Sequence, residues 1–256
     1  MKLRYLYFIC SVLLASCSAT VYSPAMFGHD IAYQPKPMTF DTNKDATYLS
    51  GTFGAHQAVN TNDVGFGELN ISRAHAFAHG NLAFGAFGFA GQVTDNNYVN
   101  DSANTFKFKH ISFEGLGLRA SGNLNTSFGR TNWRFLGFEA AYSKEFGAYS
   151  NFRRQVSGVP GYYSSPTSSL ITAGLTTEII WHGSSSVDNQ YGFRVFIGRN
   201  FGNLSYLNNL HGGSGSFLLN SSNSFFMQLQ HFTATLETNG FLSVTPSLRL
   251  TAGYRF

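Results

Sequence analysis

Ser247-Leu248-Arg249-Leu250-Thr251-Ala252-Gly253-Tyr254-Arg255-Phe256 is the stretch that decides the fold. Successive side chains of a strand point to opposite faces. Leu248, Leu250, Ala252, Tyr254 and Phe256 therefore share one face, and Arg249, Thr251, Gly253 and Arg255 share the other. The same period recurs upstream. Leu116, Leu118 and Ala120 oppose Arg119, and Leu136, Phe138, Ala140 and Tyr142 oppose Glu139. Ile171, Ala173, Leu175 and Ile179 oppose Glu178, while Tyr191, Phe193, Val195 and Ile197 oppose Arg194.

Composition says what surrounds those strands. Only 12% of residues are charged, 16% are aromatic and 27 are glycine, while mean hydropathy is close to zero. Soluble domains carry about 25% charge. A helical membrane protein would show apolar runs of about 18 residues or more, and none occurs beyond residue 16. Few charges, many aromatics and no long apolar run fit transmembrane strands, whose outer residues meet lipid while inner ones stay polar or small. An Arg or Lys facing lipid near the midplane costs about 2–4 kcal/mol. Arg119, Glu139, Glu178 and Arg194 are thus expected to point into a lumen. Arg119 and Glu139 lie on consecutive strands, as do Glu178 and Arg194, and each couple is expected to form a lumen charge pair.

At the other end, Lys2 and Arg4 precede an apolar run from Tyr5 to Leu14, the layout of a signal peptide. Leu14-Ala15-Ser16-Cys17 follows and resembles the bacterial lipobox. The resemblance implies removal of residues 1–16 and lipidation of Cys17. Cys10 would leave with the signal, so one cysteine would remain and no disulfide could form within the chain. Losing Lys2 and Arg4 lowers the formal charge from +4 to +2, too small a bias to suggest nucleic acid as a partner. The alternating C-terminal stretch resembles the terminal strand read by the outer-membrane barrel assembly machinery, with Tyr254 and Phe256 as the assembly signal.

Residues 17–46 read as an irregular tether, because Pro24, Pro35 and Pro37 deny a ladder its donors. Residues 47–256 read as one antiparallel transmembrane β-barrel with no linker. Strand candidates lie near 47–58, 63–75, 80–92, 105–120, 131–146, 168–182, 189–202, 224–237 and 243–256. That is an odd number, whereas bacterial single-chain barrels have an even count. The missing strand is sought in 203–222, around Leu204, Tyr206, Phe217 and Leu219, which gives ten strands. Eight is the alternative. The glycines near 84–91 are read as strand positions where neighbouring side chains crowd.

Tyr22-Ser23-Pro24, Ser50-Gly51, a His-containing hairpin over Ala74 to Gly80 and the final Tyr254-Arg255-Phe256 are together similar to outer-membrane β-barrel lipoproteins of uncharacterised role common in Bacteroidetes. Some of those carry an acidic surface-export signal after the cysteine. Ser18-Ala19-Thr20-Val21 lacks it, which implies a tether on the periplasmic side. The resemblance supplies no catalytic residues.

Other motifs carry little chemistry. His75 and His79 flank a turn with no third ligand in view for zinc. Gly212-Gly213-Ser214-Gly215-Ser216 lacks the final glycine and the strand–turn–helix setting of a nucleophile elbow. Gly65-x-Gly67 and Gly115-x-Gly117 lack the third glycine of a dinucleotide site. Arg153-Arg154 sits in a loop with Tyr149, Phe152, Tyr162 and Tyr163, open to lipopolysaccharide phosphates or simply solvated. The expectation is therefore a non-enzymatic outer-membrane barrel without metal or cofactor. Its expected partners are outer-membrane lipid, the assembly machinery during biogenesis and a larger outer-membrane complex. Two alternatives stand beside it. One is a narrow channel for small or apolar solutes, which the mixed Arg and Glu pattern disfavours. The other is a lipid-modifying enzyme, for which His182 and His231 have no recognisable partner set.

Overall fold

The computed structural model describes residues 21–38, 41, 43–57, 62–96, 106, 108–160, 162–183, 189–201, 219–239 and 247–256. Ten antiparallel strands close into a barrel: β2 (Asp45–Gln57), β3 (Asn62–Ala76), β4 (Gly80–Asp95), β5 (His110–Phe128), β6 (Thr131–Phe146), β8 (Ser169–His182), β9 (Asn189–Phe201), β10 (Leu219–Leu229), β11 (Phe232–Asn239) and β12 (Ser247–Arg255). Each strand pairs with its sequence neighbour, and β12 closes on β2, with Arg255 opposite Tyr48 and Ser247 opposite His56. Two short parallel pieces, β1 (Val21–Tyr22) and β7 (Tyr163–Ser164), and one helix, α1 (Ala148–Val156), complete the described elements.

Of the expected 203–222, residues 203–218 lie outside the described residues, and 219–222 open β10. The single candidate at 224–237 is instead a hairpin, β10 and β11, in which Leu229 pairs with Phe232 across Gln230 and His231. Gln230 takes a positive φ of 54°. Such turns usually announce themselves with Gly, Asn or Asp, and here none is present, so the two strands read as one.

Alternation sets the wall. Phe53, Leu69, Ile71, Leu116, Leu118, Phe138, Leu175 and Leu250 are exposed and point outward, with Phe53 80% accessible. Ser50, Thr52, Glu68, Asn70, Ser72, Ser121 and Asn123 are buried on the inner face. A closed wall that is apolar outside and polar inside is an outer-membrane barrel, which hides every strand edge from lipid. Depressions such as the one bounded by Gly51, Phe53, Gly67, Leu69, Gly88 and Leu116 lie on this outer wall.

The two ends of the barrel differ. Residues 77–79, 129–130, 183–188 and 230–231 connect strands at the end where β2 starts and β12 finishes. Residues 58–61, 96–109, 147–168, 202–218 and 240–246 connect them at the other. Outer-membrane barrels keep short turns on the periplasmic side and longer loops outside.

Of the expected tether, residues 21–38 fill the barrel. Residues 21–38 are irregular beyond β1, as their prolines require, but nearly all are buried. The physical reason is supply and demand within the lumen: the inner face carries charges, and this segment brings the donors and acceptors that match them.

Glycines on β5 let inner rings lie flat. A Cβ on Gly117 would collide with the Phe87 ring and stand 2.6 Å from the Tyr142 carbonyl oxygen. Phe87 in turn carries the Arg119 guanidinium 3.8 Å above its centroid. Gly117→Val should therefore lower stability by about 1–3 kcal/mol, the usual cost of overpacking, seen as an earlier urea midpoint of the heat-modifiable folded band. Gly65→Ala, with nothing within 4 Å of its Cβ, should leave that midpoint unchanged.

Candidate functional site

The site is the lumen and the segment that threads it. At the long-loop end, Val21 and Tyr22 pair with Tyr163 and Ser164. The Tyr22 hydroxyl donates to Asp95, the last residue of β4, at 3.4 Å, and the Tyr149 hydroxyl on α1 donates to the Ser23 carbonyl at 2.9 Å. Burial first, and then the neighbouring Asp95 carboxylate, raise the Tyr22 hydroxyl above its ordinary pKa, so it stays a donor. Tyr22, Phe108, Tyr149 and Phe152 form an aromatic cluster over the mouth, with Tyr22 and Phe152 edge to face at 5.1 Å. Edge-to-face rings at this separation are favourable beyond their burial.

Deeper in, the Ala25 amide donates to Glu145 at 2.6 Å, and His56 donates from Nε2 to the Ala25 carbonyl at 2.8 Å. Asn220 and Asn239 both donate to the Gly28 carbonyl, at 2.8 and 3.0 Å. Asp30 accepts from Thr172 at 2.5 Å and Ser143 at 3.3 Å. Arg249 donates to the carbonyls of His29, at 2.7 Å, and Ile31. The Tyr33 ring stacks on Phe226 with centroids 4.1 Å apart, and its amide donates to Glu237 at 3.2 Å.

Near the short-turn end, Lys36 Nζ lies 3.0 Å from Glu178, itself 2.6 Å from Arg134. Arg134 also donates to the Lys36 and Pro37 carbonyls, each at 3.2 Å. Asp41 then meets Arg255 at 3.2 Å. The described residues of the segment thus run from the long-loop end at Val21 to the short-turn end at Asp41, bonded to the wall at several levels between.

Arg119, Glu139, Glu178 and Arg194 all lie buried on the inner face, but the expected pairs are not the ones formed. Arg119 makes a bidentate contact with Glu68, at 2.5 and 2.7 Å, rather than with Glu139. Its Nε donates to the Asp30 carbonyl at 2.7 Å. Glu139 pairs with Arg194, and Glu237 lies 3.5 Å from Arg194 while pairing with Arg249. Glu178 stands opposite Arg194 in the β8–β9 register, yet it bonds to Arg134 and Lys36. Arg119–Glu68 and Arg194–Glu139 each reach past an intervening strand, β4 and β8, whereas Arg134–Glu178 and Arg249–Glu237 are direct cross-strand neighbours, so adjacency along the sheet settles some partners and not others.

Arg153 departs from both of its expected roles, for it is buried, bonded to Glu145 at 2.7 Å and to the carbonyls of Ser165 and Thr167. Arg154 is exposed and bonds to Asn151. Glu68, Glu237 and Arg134 went unnoticed in the sequence, although each alternates with apolar neighbours: Leu69, Leu236 and the Trp133–Phe135 pair. Asp30 and Lys36 lack any such signal, since their segment has no period. Tyr254 stacks on His231 at 5.5 Å, and exposed Phe256 packs edge-on to Tyr254 at 5.0 Å while its amide donates to the Thr47 carbonyl. His75 bonds to Asp45 at 3.0 Å at the short-turn end. Cys17 lies outside the described residues.

No family model and no curated protein matches this chain. Solved structures similar to it include the translocator domain of the autotransporter NalP from Neisseria meningitidis, at 10% identity over 86% of this chain and 90% of that one, with a TM-score of 0.42. The transport unit of the autotransporter AIDA-I from Escherichia coli matches at 7% identity over 87% and 93% of the two chains, with a TM-score of 0.38. The outer membrane protein OprG from Pseudomonas aeruginosa matches at 11% identity over 86% and 99%, with a TM-score of 0.36. The likeness is one of barrel architecture, and no activity comes with it.

The new pairing predicts a specific coupling. Removing one partner of a buried ion pair costs about 3–5 kcal/mol. Glu68→Gln takes the bidentate carboxylate from Arg119, whereas Glu139→Gln leaves Arg194 beside Glu237 and bonded to Ser222 and Ser224. Glu68→Gln should lower the urea midpoint more than Glu139→Gln. Adding Arg119→Gln should restore much of the loss for Glu68→Gln and less for Glu139→Gln.

Proposed function

We propose that this chain is a lipid-anchored, non-enzymatic outer-membrane barrel whose own N-terminal segment closes its lumen. Its role on this reading is structural or interactive, as an accessory subunit of a larger outer-membrane complex, and not conduction. The observation that carries the proposal is the occupied lumen. A path for solutes needs an open polar channel, and here Asp30, Tyr33 and Lys36 lie buried against Thr172, Phe226 and Glu178 from the wall. What such a barrel offers a partner is its lipid-facing belt and, at the long-loop end, α1 with the rings packed beside it. Tyr254 and Phe256, exposed at the end of β12 where it meets the start of β2, serve the assembly machinery during biogenesis.

Planar-bilayer recording tests the reading. The purified protein should show no steady conductance, and a variant with residues 24–38 replaced by a Gly/Ser linker of equal length should conduct. Large, stable conductance steps in the unaltered protein would mean that the lumen is an aqueous path.

A further inference from the structure

We infer that the segment is threaded with its N-terminal end outward, so that Cys17 emerges at the cell surface and its acyl chains enter the outer leaflet. The location of the acyl chains rests on the proposed lipid anchor; the direction of the thread does not.

Direction follows from which wall groups the segment meets in order. Val21 pairs with Tyr163, in the connection between β6 and β8 at the long-loop end. Tyr22 meets Asp95, where β4 finishes, and Ala25 meets Glu145, next to the last residue of β6. Lys36 meets Glu178 in the other half of β8, and Asp41 meets Arg255 where β12 ends. The Lys44 carbonyl finally accepts from the Ala76 amide beside the 77–79 turn. The chain therefore descends from the loops to the turns before β2 starts back up.

Chain length decides where Cys17 can be. It precedes Val21 by four residues, a reach of at most about 14 Å at 3.6 Å per residue. β6 has 16 residues, and at about 3.3 Å each with a tilt near 40° it is roughly 40 Å tall. Four residues cannot return Cys17 to the turn end. A tether on the periplasmic side would require the segment to leave the lumen and abandon its ion pairs with Glu178 and Arg255.

Thiol accessibility in intact cells tests this. Ala19→Cys and, separately, Thr20→Cys would be treated with a membrane-impermeant maleimide. Gln155→Cys on α1 marks the loop end and Ala78→Cys the turn end, both at exposed positions. Each variant is first checked for the heat-modifiable folded band. Ala19→Cys and Thr20→Cys should label in intact cells as Gln155→Cys does, while Ala78→Cys should label only after permeabilisation. Protection of both N-terminal positions, matching Ala78→Cys, would overturn the threading. Labelled palmitate should enter the unaltered protein and not Cys17→Ser. Surface labelling without palmitate incorporation would uphold the thread and overturn the lipid anchor alone.

Discussion

A ten-stranded barrel encloses more room than its own side chains fill, and this constraint governs the rest of the molecule. About eight strands leave an interior that side chains just occupy, and width grows with strand number. Here the inner wall also carries Glu68, Arg119, Arg134, Glu139, Glu178, Arg194, Glu237 and Arg249, all buried. Buried charges are tolerated when they are paired and their remaining donors are satisfied. Wall-to-wall pairs do part of this, as between Arg119 and Glu68. A further part falls to backbone carbonyls and side chains of the segment between Val21 and Asp41, which bond to Arg119, Arg134, Arg249 and Arg255 and bring Lys36 to Glu178.

That division of labour ties the segment to the fold. An isolated buried ion pair is weak evidence of stability, since desolvation offsets its attraction. Taking the segment away, however, would leave several guanidinium donors and Glu178 without part of their shell at once. The aromatic cluster works in the same direction: Tyr22 sits among the rings of α1, so α1 and the segment hold each other. Barrel and segment thus support each other, and α1 at the long-loop end is tied to the segment beneath it.

Much of the wall was legible in the sequence, because lipid on one side and a polar lumen on the other impose the period-two pattern that Leu248 to Phe256 displays. The inward direction of Arg119, Glu139, Glu178 and Arg194 followed from the cost of a charge in lipid. Their partners did not, since Arg119–Glu68 and Arg194–Glu139 each span an intervening strand and Lys36 comes to Glu178 from a segment with no period. β10 and β11 merged because Gln230 and His231 carry no turn signature. The segment 21–41 was the hardest to place: its prolines announce irregular chain, and irregular chain reads alike whether it hangs free or fills a pore. The lumen charges were the missing clue, for a wall with this many needs something to bind.

The most direct test is to ask where Tyr33 sits in living cells. A photo-activated benzophenone amino acid in place of Tyr33, irradiated in intact cells, should cross-link within the same chain, and mass spectrometry should find the product on β10 near Phe226 or on β8 near Ile180, the residues packed around Tyr33. Cross-links to periplasmic proteins, with none to the barrel wall in folded protein, would contradict the threaded lumen.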